Sequence, residues 1–375
     1  MSKCKILLAA AMLIILSCCS RGRNGGAPEA RNLVEWEFAS GIDVDVHEHY
    51  TVAAVKNPWK QGAVLQTYIL VDRDKPLPDS LPEGTVVRVP LRNCLVFSSV
   101  HCNVIKELTG SFDAVGGVCD AQYYNTPEIV AGINDGRIAD CGNSMAPTIE
   151  KVMMLKPEAI LLSPFQNSGY GALTATGIPI VECADYMEPL PLGRAEWIKF
   201  FGLLFGNTER ADSMFQDVKE KYTSLAAKAA TADSKPKVIT ETITNGVWYV
   251  PGGNSYMARM IADAGGDFPW KDTQSIGSIP LDYPKVFEKA FDADVWLIKA
   301  YLNDATLADI KAIDTRNARF KAFSNGGIYY CNTSKTTLYD DFPFHPDKLL
   351  EEYIKIFHPG LLAASNLQYF KKIEK

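Results

Sequence analysis

The stretch CLVFSSVHCNVIKELTG, residues 94–110, decides the fold. It opens with a short apolar run, Cys94 to Ser98, of strand length. At His101 the apolar spacing becomes helical, lasts to Leu108, and meets a stop at Gly110. A second apolar strand, Ala114 to Val118, follows at once. Strand, helix and strand in so short a span is the βαβ unit of a parallel sheet. The rhythm continues with a helix over Thr148 to Leu155 and strands over Ala159 to Leu162 and Ile178 to Glu182.

Further out, the pattern changes and then repeats. Gly193 to Phe205 is helical and ends at Gly206-Asn207. Thr208 then caps a helix with Phe215, Val218, Tyr222 and Leu225 on one face. Pro236 closes the polar segment 226–235. A second set follows: strand Val238 to Glu241, helix Ser255 to Ala264, strands Val295 to Lys299 and Ile328 to Cys331, and a closing helix Leu349 to His358 stopped by Pro359-Gly360. Upstream, Tyr50 to Val71 is β-like, with turns at Asn57-Pro58 and Gly62, before the proline-rich turn Pro76 to Pro82. The expected fold is α/β: two Rossmann-like lobes with central parallel sheets, joined by a long interlobe helix, plus an extra β-rich N-terminal segment. The expected divisions are 18–45 as a tether, 46–190 as the first lobe with its β-rich extension at 46–89, 191–232 as interlobe helices, and 233–375 as the second lobe.

Composition narrows the function. The chain has 375 residues, 47% hydrophobic and 22% charged, which is ordinary for a folded protein. Its net charge of −6 argues against a nucleic-acid groove, which needs clustered Lys and Arg. Lys3 and Lys5 precede the uncharged apolar run Ile6 to Leu16, too short to span a bilayer but suited to a signal peptide over residues 1–17. The nine cysteines include no CxxC pair and no spacing typical of metal ligands. Cys94, Cys183 and Cys331 lie in strand-like runs and read as small core residues.

In open parallel sheets, ligands bind beyond the carboxyl ends of the strands. The segments expected there hold Ser99 and His101, Tyr123 and Tyr124, Phe165, Gln166 and Tyr170, then Trp248 and Tyr249, and Tyr301. Aromatics and amides recur in these segments while Lys and Arg are absent. A cleft lined this way suits a bulky ligand with flat faces and hydrogen-bonding edges. Any one of these rings could equally cap a sheet edge, so the reading rests on the set. Motif searches for GxSxG, GxGxxG after a strand, GxxxxGK[ST] and HExxH find nothing. Ser99 and His101 read as a helix cap and a solvent-facing imidazole rather than a catalytic dyad. His47-Glu48-His49 reads as an exposed strand pattern next to the tether. No catalytic residues, resident cofactor or metal site are expected.

Two resemblances extend this reading. Ile15-Leu16-Ser17-Cys18 resembles the bacterial lipoprotein cleavage site, which implies acylation of Cys18 and attachment to a membrane by lipid. An ordinary cleaved signal with an incidental Cys is the alternative. Over about 90–360 the chain resembles the solute-binding proteins of ABC importers for iron–siderophore, heme and vitamin B12. Three stretches carry the likeness: Ser98-Ser99-Val100-His101 after a strand; Ile149 to Ile160, similar to the family's E-x-I-x-x-L-K-P-D-L-I signature; and Pro251 to Tyr256 with Gly265-Gly266 after a helix. Pro189 to Trp197 looks like the start of the linking helix in a Bacteroidetes lipoprotein subgroup.

The resemblance implies a monomeric, lipid-anchored periplasmic protein that captures a ferric siderophore, heme or cobalamin between two lobes. It would deliver that small-molecule chelate to an ABC permease and ATPase complex, with Tyr256 added to the ligand set. It further implies that Glu150 docks on the permease from the first lobe. The second-lobe docking position falls on Asn254, a departure from the acid that family members carry there. His101, Tyr123, Tyr124 or Tyr170 would be the axial ligand if the cargo were heme. The alternatives are a lipoprotein for free zinc or manganese, for which five His are few, or an exported α/β enzyme such as a hydrolase.

Overall fold

The structure, a computed structural model, describes residues 34–300 and 305–374. It opens with a four-stranded sheet in the order β1-β2-β3-β4, comprising β1 (Ile42–Val46), β2 (Thr51–Lys56), β3 (Val64–Asp72) and β4 (Thr85–Val89). The first three strands are antiparallel, and β3 and β4 are parallel. This sheet is the β-rich extension.

The first lobe follows: β5 (Cys94–Val96), α1 (Ser99–Thr109), β6 (Val115–Val118), α2 (Pro127–Asn134) and β7 (Ala139–Asp140). A small hairpin, β8 (Gly142–Asn143) with β9 (Ala146–Pro147), leads to α3 (Ile149–Leu155), β10 (Ala159–Leu162) and β11 (Ile180–Glu182). Five of these strands form an all-parallel sheet in the order β11-β10-β5-β6-β7. Its centre is buried on both faces, which is why β5 and β10 read as unbroken apolar runs.

Three helices connect the lobes: α4 (Pro191–Glu196), α5 (Ile198–Phe205) and α6 (Thr208–Ala229). Asn207, not Thr208, occupies the cap position of α6, and Thr208 is its first helical residue. At 22 residues, α6 is about 33 Å long, enough to touch both lobes. Near its start Arg210 donates to the carbonyl of Glu107 in α1. Further along, Tyr222 donates to Asp263 of the second lobe.

The second lobe comprises β12 (Val238–Thr240), β13 (Ile243–Thr244), β14 (Val247–Pro251), α7 (Tyr256–Asp263), β15 (Ser278–Leu281), α8 (Tyr283–Ala290) and β16 (Val295–Ala300). It ends with α9 (Leu307–Ile313), α10 (Lys321–Asn325), β17 (Ile328–Asn332), α11 (Leu338–Asp341), α12 (Pro346–Phe357) and β18 (Lys371–Lys372). Strands β12, β16 and β17 are parallel, with β18 antiparallel at the edge. A separate antiparallel sheet, β13-β14-β15, stands beside them. Gly252 and Gly253 follow β14 because a Cβ at either position would meet backbone carbonyls of 271–277 at 2.3–2.5 Å.

Described residues within the expected tether, 18–45, are packed against the body. The backbone N–H groups of Glu37, Phe38 and Ala39 donate to the Glu196 carboxylate at 2.8–2.9 Å. Those of Ser40 and Gly41 donate to Glu188, which also accepts from the Trp197 indole at 2.8 Å. Two buried carboxylates on and before α4 thus replace sheet partners for a segment with no regular structure. Residues 1–17 and Cys18 lie outside the described residues.

Candidate ligand-binding cleft

Two cavities open at the carboxyl ends of the two parallel sheets. One of about 520 Å³ lies past β5 and β10. Phe97, Ser98, Leu162, Ser163, Phe165 and Tyr170 line it, with the β8–β9 hairpin tip at Met145 and Ala146 on its other side. The second, about 660 Å³, takes Glu241, Thr242 and Thr244 from beyond β12, Tyr249 from β14, Ser255 and Tyr256 around the start of α7, Lys299 and Ala300 from β16, and Tyr339 and Phe342 from α11 and just beyond. Tyr186 and Met187 of the first lobe complete its wall, so this cavity is bounded by both lobes. Tyr186 also donates to the Pro164 carbonyl, which joins the two cavity rims. Both volumes are in the range of small-molecule sites.

Alternation along β14 explains what faces the second cavity. Asn245-Gly246 makes the turn from β13, with φ of 51° and 82°, so β14 leaves a hairpin. Successive side chains then point to opposite faces. Tyr249 is 51% exposed and reaches the cavity, while Trp248 is 0% exposed. Trp248 stacks on Trp296 at 5.6 Å between ring centres, and its indole donates to the Thr240 carbonyl at 2.9 Å. The expectation that Trp248 touches ligand is therefore corrected: it is core.

Lys299 is the buried cation of this cavity, ion-paired with Glu241. Burial alone would push the ammonium pKa down. The Glu241 charge opposes this, and the pKa is held above its ordinary value. Glu241 has φ of 61°, a left-handed backbone that costs a non-glycine residue about 1 kcal/mol or more. Its N–H donates to the Leu297 carbonyl at 2.9 Å, and its own carbonyl accepts from the Trp296 indole at 2.7 Å. Those bonds fix the strained residue at the strand end.

On the first-lobe side, Tyr170 (φ 49°) and Asn167 (φ 62°) are also left-handed. The Tyr170 hydroxyl donates to Glu182 and accepts from Ser168. Burial, then the bond to Glu182, raises the Tyr170 pKa. Burial raises that of Glu182 against the effect of the same bond. The Tyr170 hydroxyl is thus engaged by Glu182 and Ser168.

Of the residues expected at the ligand, Phe165, Tyr170, Tyr249 and Tyr256 line the cavities. Gln166 is exposed beside Phe165 and lines neither, as is Tyr123 at 75% exposure. Tyr124 is corrected to a core position, its hydroxyl donating to the Val96 carbonyl at 3.4 Å. His101 is corrected too. It is 1% exposed, and its Nε2 lies 3.0 Å from Asp185, which also accepts from Arg194 at 3.1 Å. Ser99 donates to Asp340 of the second lobe and so joins the lobes rather than facing the cavities. His345 pairs with Glu107 across the same boundary at 2.7 Å. His47 stacks on Tyr50 at 4.6 Å. Tyr301 lies outside the described residues. Among the described residues, no three His, Cys, Asp or Glu side chains stand together as a metal set.

Glu150 is exposed in the first turn of α3, where the helix dipole favours a carboxylate. Asn254 is exposed just before α7, its amide bonded to Gln274. Each is one residue from a cavity wall, at Ile149 and Ser255.

A family model described as periplasmic binding protein matches residues 118–334, more than half of the chain. The chain belongs to that family. Similar curated proteins include two uncharacterized lipoproteins of Methanocaldococcus jannaschii. One is 27% identical, with 82% of this chain and 76% of that protein covered. The other is 24% identical, with 84% of each covered. Among solved structures, a periplasmic heme-binding protein from Pseudomonas aeruginosa aligns with a TM-score of 0.59 at 15% identity, covering 76% of this chain and 98% of that one. A TroA-like periplasmic binding protein, FepB, from Veillonella parvula aligns at 0.58 and 17%, covering 77% and 96%. Such likenesses establish the two-lobe fold of a periplasmic binding protein. The cavities found here lie where that fold leaves its sheets' carboxyl ends open.

Proposed function

We propose that this periplasmic binding protein is the solute-binding component of an ABC importer for a bulky metal chelate or tetrapyrrole. The observation that carries the reading is the cavity bounded by both lobes, with aromatic faces from Tyr186, Tyr249, Tyr256 and Tyr339 around few charges. Similar structures include a heme-binding protein and a protein from an Fe3+-hydroxamate transport system, which supports an iron chelate or heme as cargo, with cobalamin as the third candidate. Phe165 and Tyr170 extend the apolar surface into the neighbouring cavity.

In this reading Cys18 carries the lipid anchor, as the Ile15-Leu16-Ser17-Cys18 motif and the lipoprotein relatives support. The protein works as a monomer in the periplasm. Glu150 and Asn254, at the rims of the two cavities, meet the permease. Helix α6 is stiffer than a loop hinge, so closure on the cargo is small.

The test is native mass spectrometry of the chain from Ser20 onward, mixed with hemin, a corrinoid and several ferric siderophores. A retained ligand of unaltered mass supports the reading. A folded protein that retains none, or one that releases a chemically changed ligand, contradicts it.

A further inference from the structure

We propose that the Glu241–Lys299 pair sets the charge of the cargo, so that the cleft takes an uncharged chelate and rejects a polyanionic one. This rests on the binding-protein reading and narrows its substrate class. Glu241 and Lys299 are the charged side chains among the described residues that line the larger cavity, and they neutralise one another. Among the residues that line the smaller cavity, none is Asp, Glu, Lys or Arg. A trianionic chelate moved from water into this cleft would find one ammonium, already paired. Burying charge without a counter-charge is costly, and the cost grows with each charge.

The pair is built into the strand ends. Strands β12 and β16 are parallel neighbours, with Thr240 opposite Leu297. Glu241 is thus level with Ile298, one residue short of Lys299, and its left-handed backbone breaks the strand alternation so that the two charges pair at the carboxyl edge. Glu241 is held there in a left-handed backbone by its bonds to Leu297 and Trp296. Buried ion pairs contribute little net stability compared with apolar residues of the same volume. A part-buried pair, strained at Glu241 and facing a cavity, is therefore read as recognition. Its dipole also offers a donor and an acceptor to the amide or hydroxamate groups of a neutral ligand.

The experiment compares uncharged probes, a ferric tris-hydroxamate and cyanocobalamin, with a trianionic ferric tris-catecholate, by titration against wild type, Glu241→Gln, Lys299→Gln and the double variant. Wild type should bind an uncharged probe at least tenfold more tightly than the catecholate. Glu241→Gln leaves the cavity positive and should shift the ratio about tenfold towards the catecholate. Lys299→Gln should shift it the other way. The double variant is neutral again and should return to the wild-type ratio, which a merely structural role would not produce. Wild-type preference for the catecholate, or single variants that shift the ratio in the same direction or not at all, would overturn the charge rule and leave the binding-protein reading standing. Failure of these probes together with hemin and other siderophores would overturn both.

Discussion

Trp248 and Tyr249 are neighbours on one strand with opposite fates, and substitution should separate them. Trp248 is fully buried against Trp296, Tyr283 and Phe320, and its indole N–H bonds to the Thr240 carbonyl. Removing a buried Trp side chain costs about 3–5 kcal/mol, and leaving that carbonyl unpaired adds about 1 kcal/mol. A loss of about 5 kcal/mol is a large part of the roughly 5–15 kcal/mol that holds a domain together. With a urea slope of about 3 kcal/mol/M, Trp248→Ala should lower the unfolding midpoint by roughly 1.7 M. Tyr249 is half exposed at the cavity wall, so Tyr249→Ala should change stability by no more than about 0.5 kcal/mol. It should weaken ligand binding about tenfold through the lost aromatic face. The assay pairs urea unfolding, followed by far-UV circular dichroism, with ligand titration. A Trp248→Ala protein of wild-type stability and weakened binding would refute the assignment of the two faces, as would a destabilised Tyr249→Ala protein.

Other substitutions test other parts of the structure. Glu188→Ala should cost about 3 kcal/mol, because several backbone and indole donors lose their acceptor. Limited proteolysis should then cut first near 37–41; an unchanged cleavage pattern would contradict the role given to Glu188. Asp185 is pushed up by burial, but its bonds with His101 and Arg194 outweigh that and leave its pKa lowered. A lowered acid stabilises the fold above its unfolded value near about 4, and that contribution disappears as pH falls through the folded value. Asp185→Asn should therefore cost about 3 kcal/mol at pH 7 and progressively less below about pH 4, read as urea midpoints; a gap that stays constant down to about pH 3 would contradict it. Glu150→Ala should leave ligand affinity unchanged and reduce capture of the permease complex in a pull-down. Undiminished capture would remove Glu150 from the docking face.

The frame of the fold was legible because strands buried on both faces announce themselves. Cys94 to Ser98 and Ala159 to Leu162 are apolar runs between turn signals, and they became β5 and β10. The hairpin β13–β14 carried its own signal in Asn245-Gly246. Trp248 and Tyr249, expected together beyond a strand end, instead lie within β14, whose alternation sends Trp248 inward and Tyr249 outward. Glu241 and Lys299 each ended an expected strand, but regular alternation would send them to opposite faces; the left-handed backbone at Glu241 that pairs them has no sequence signal. His101 was different. Its burial depends on Asp185 and Arg194, 84 and 93 positions away, and local spacing carries no trace of that. The order at 37–41 depends likewise on Glu188 and Glu196, whose carboxylates look like ordinary surface acids in sequence.

Cargo held between the lobes, as proposed, would shield both at once. Hydrogen–deuterium exchange, with and without the ligand retained in native mass spectrometry, should then show joint protection of amides at 163–173 in the first lobe and at 241–256 in the second. Protection confined to one lobe, or lying away from the strand ends, would contradict it.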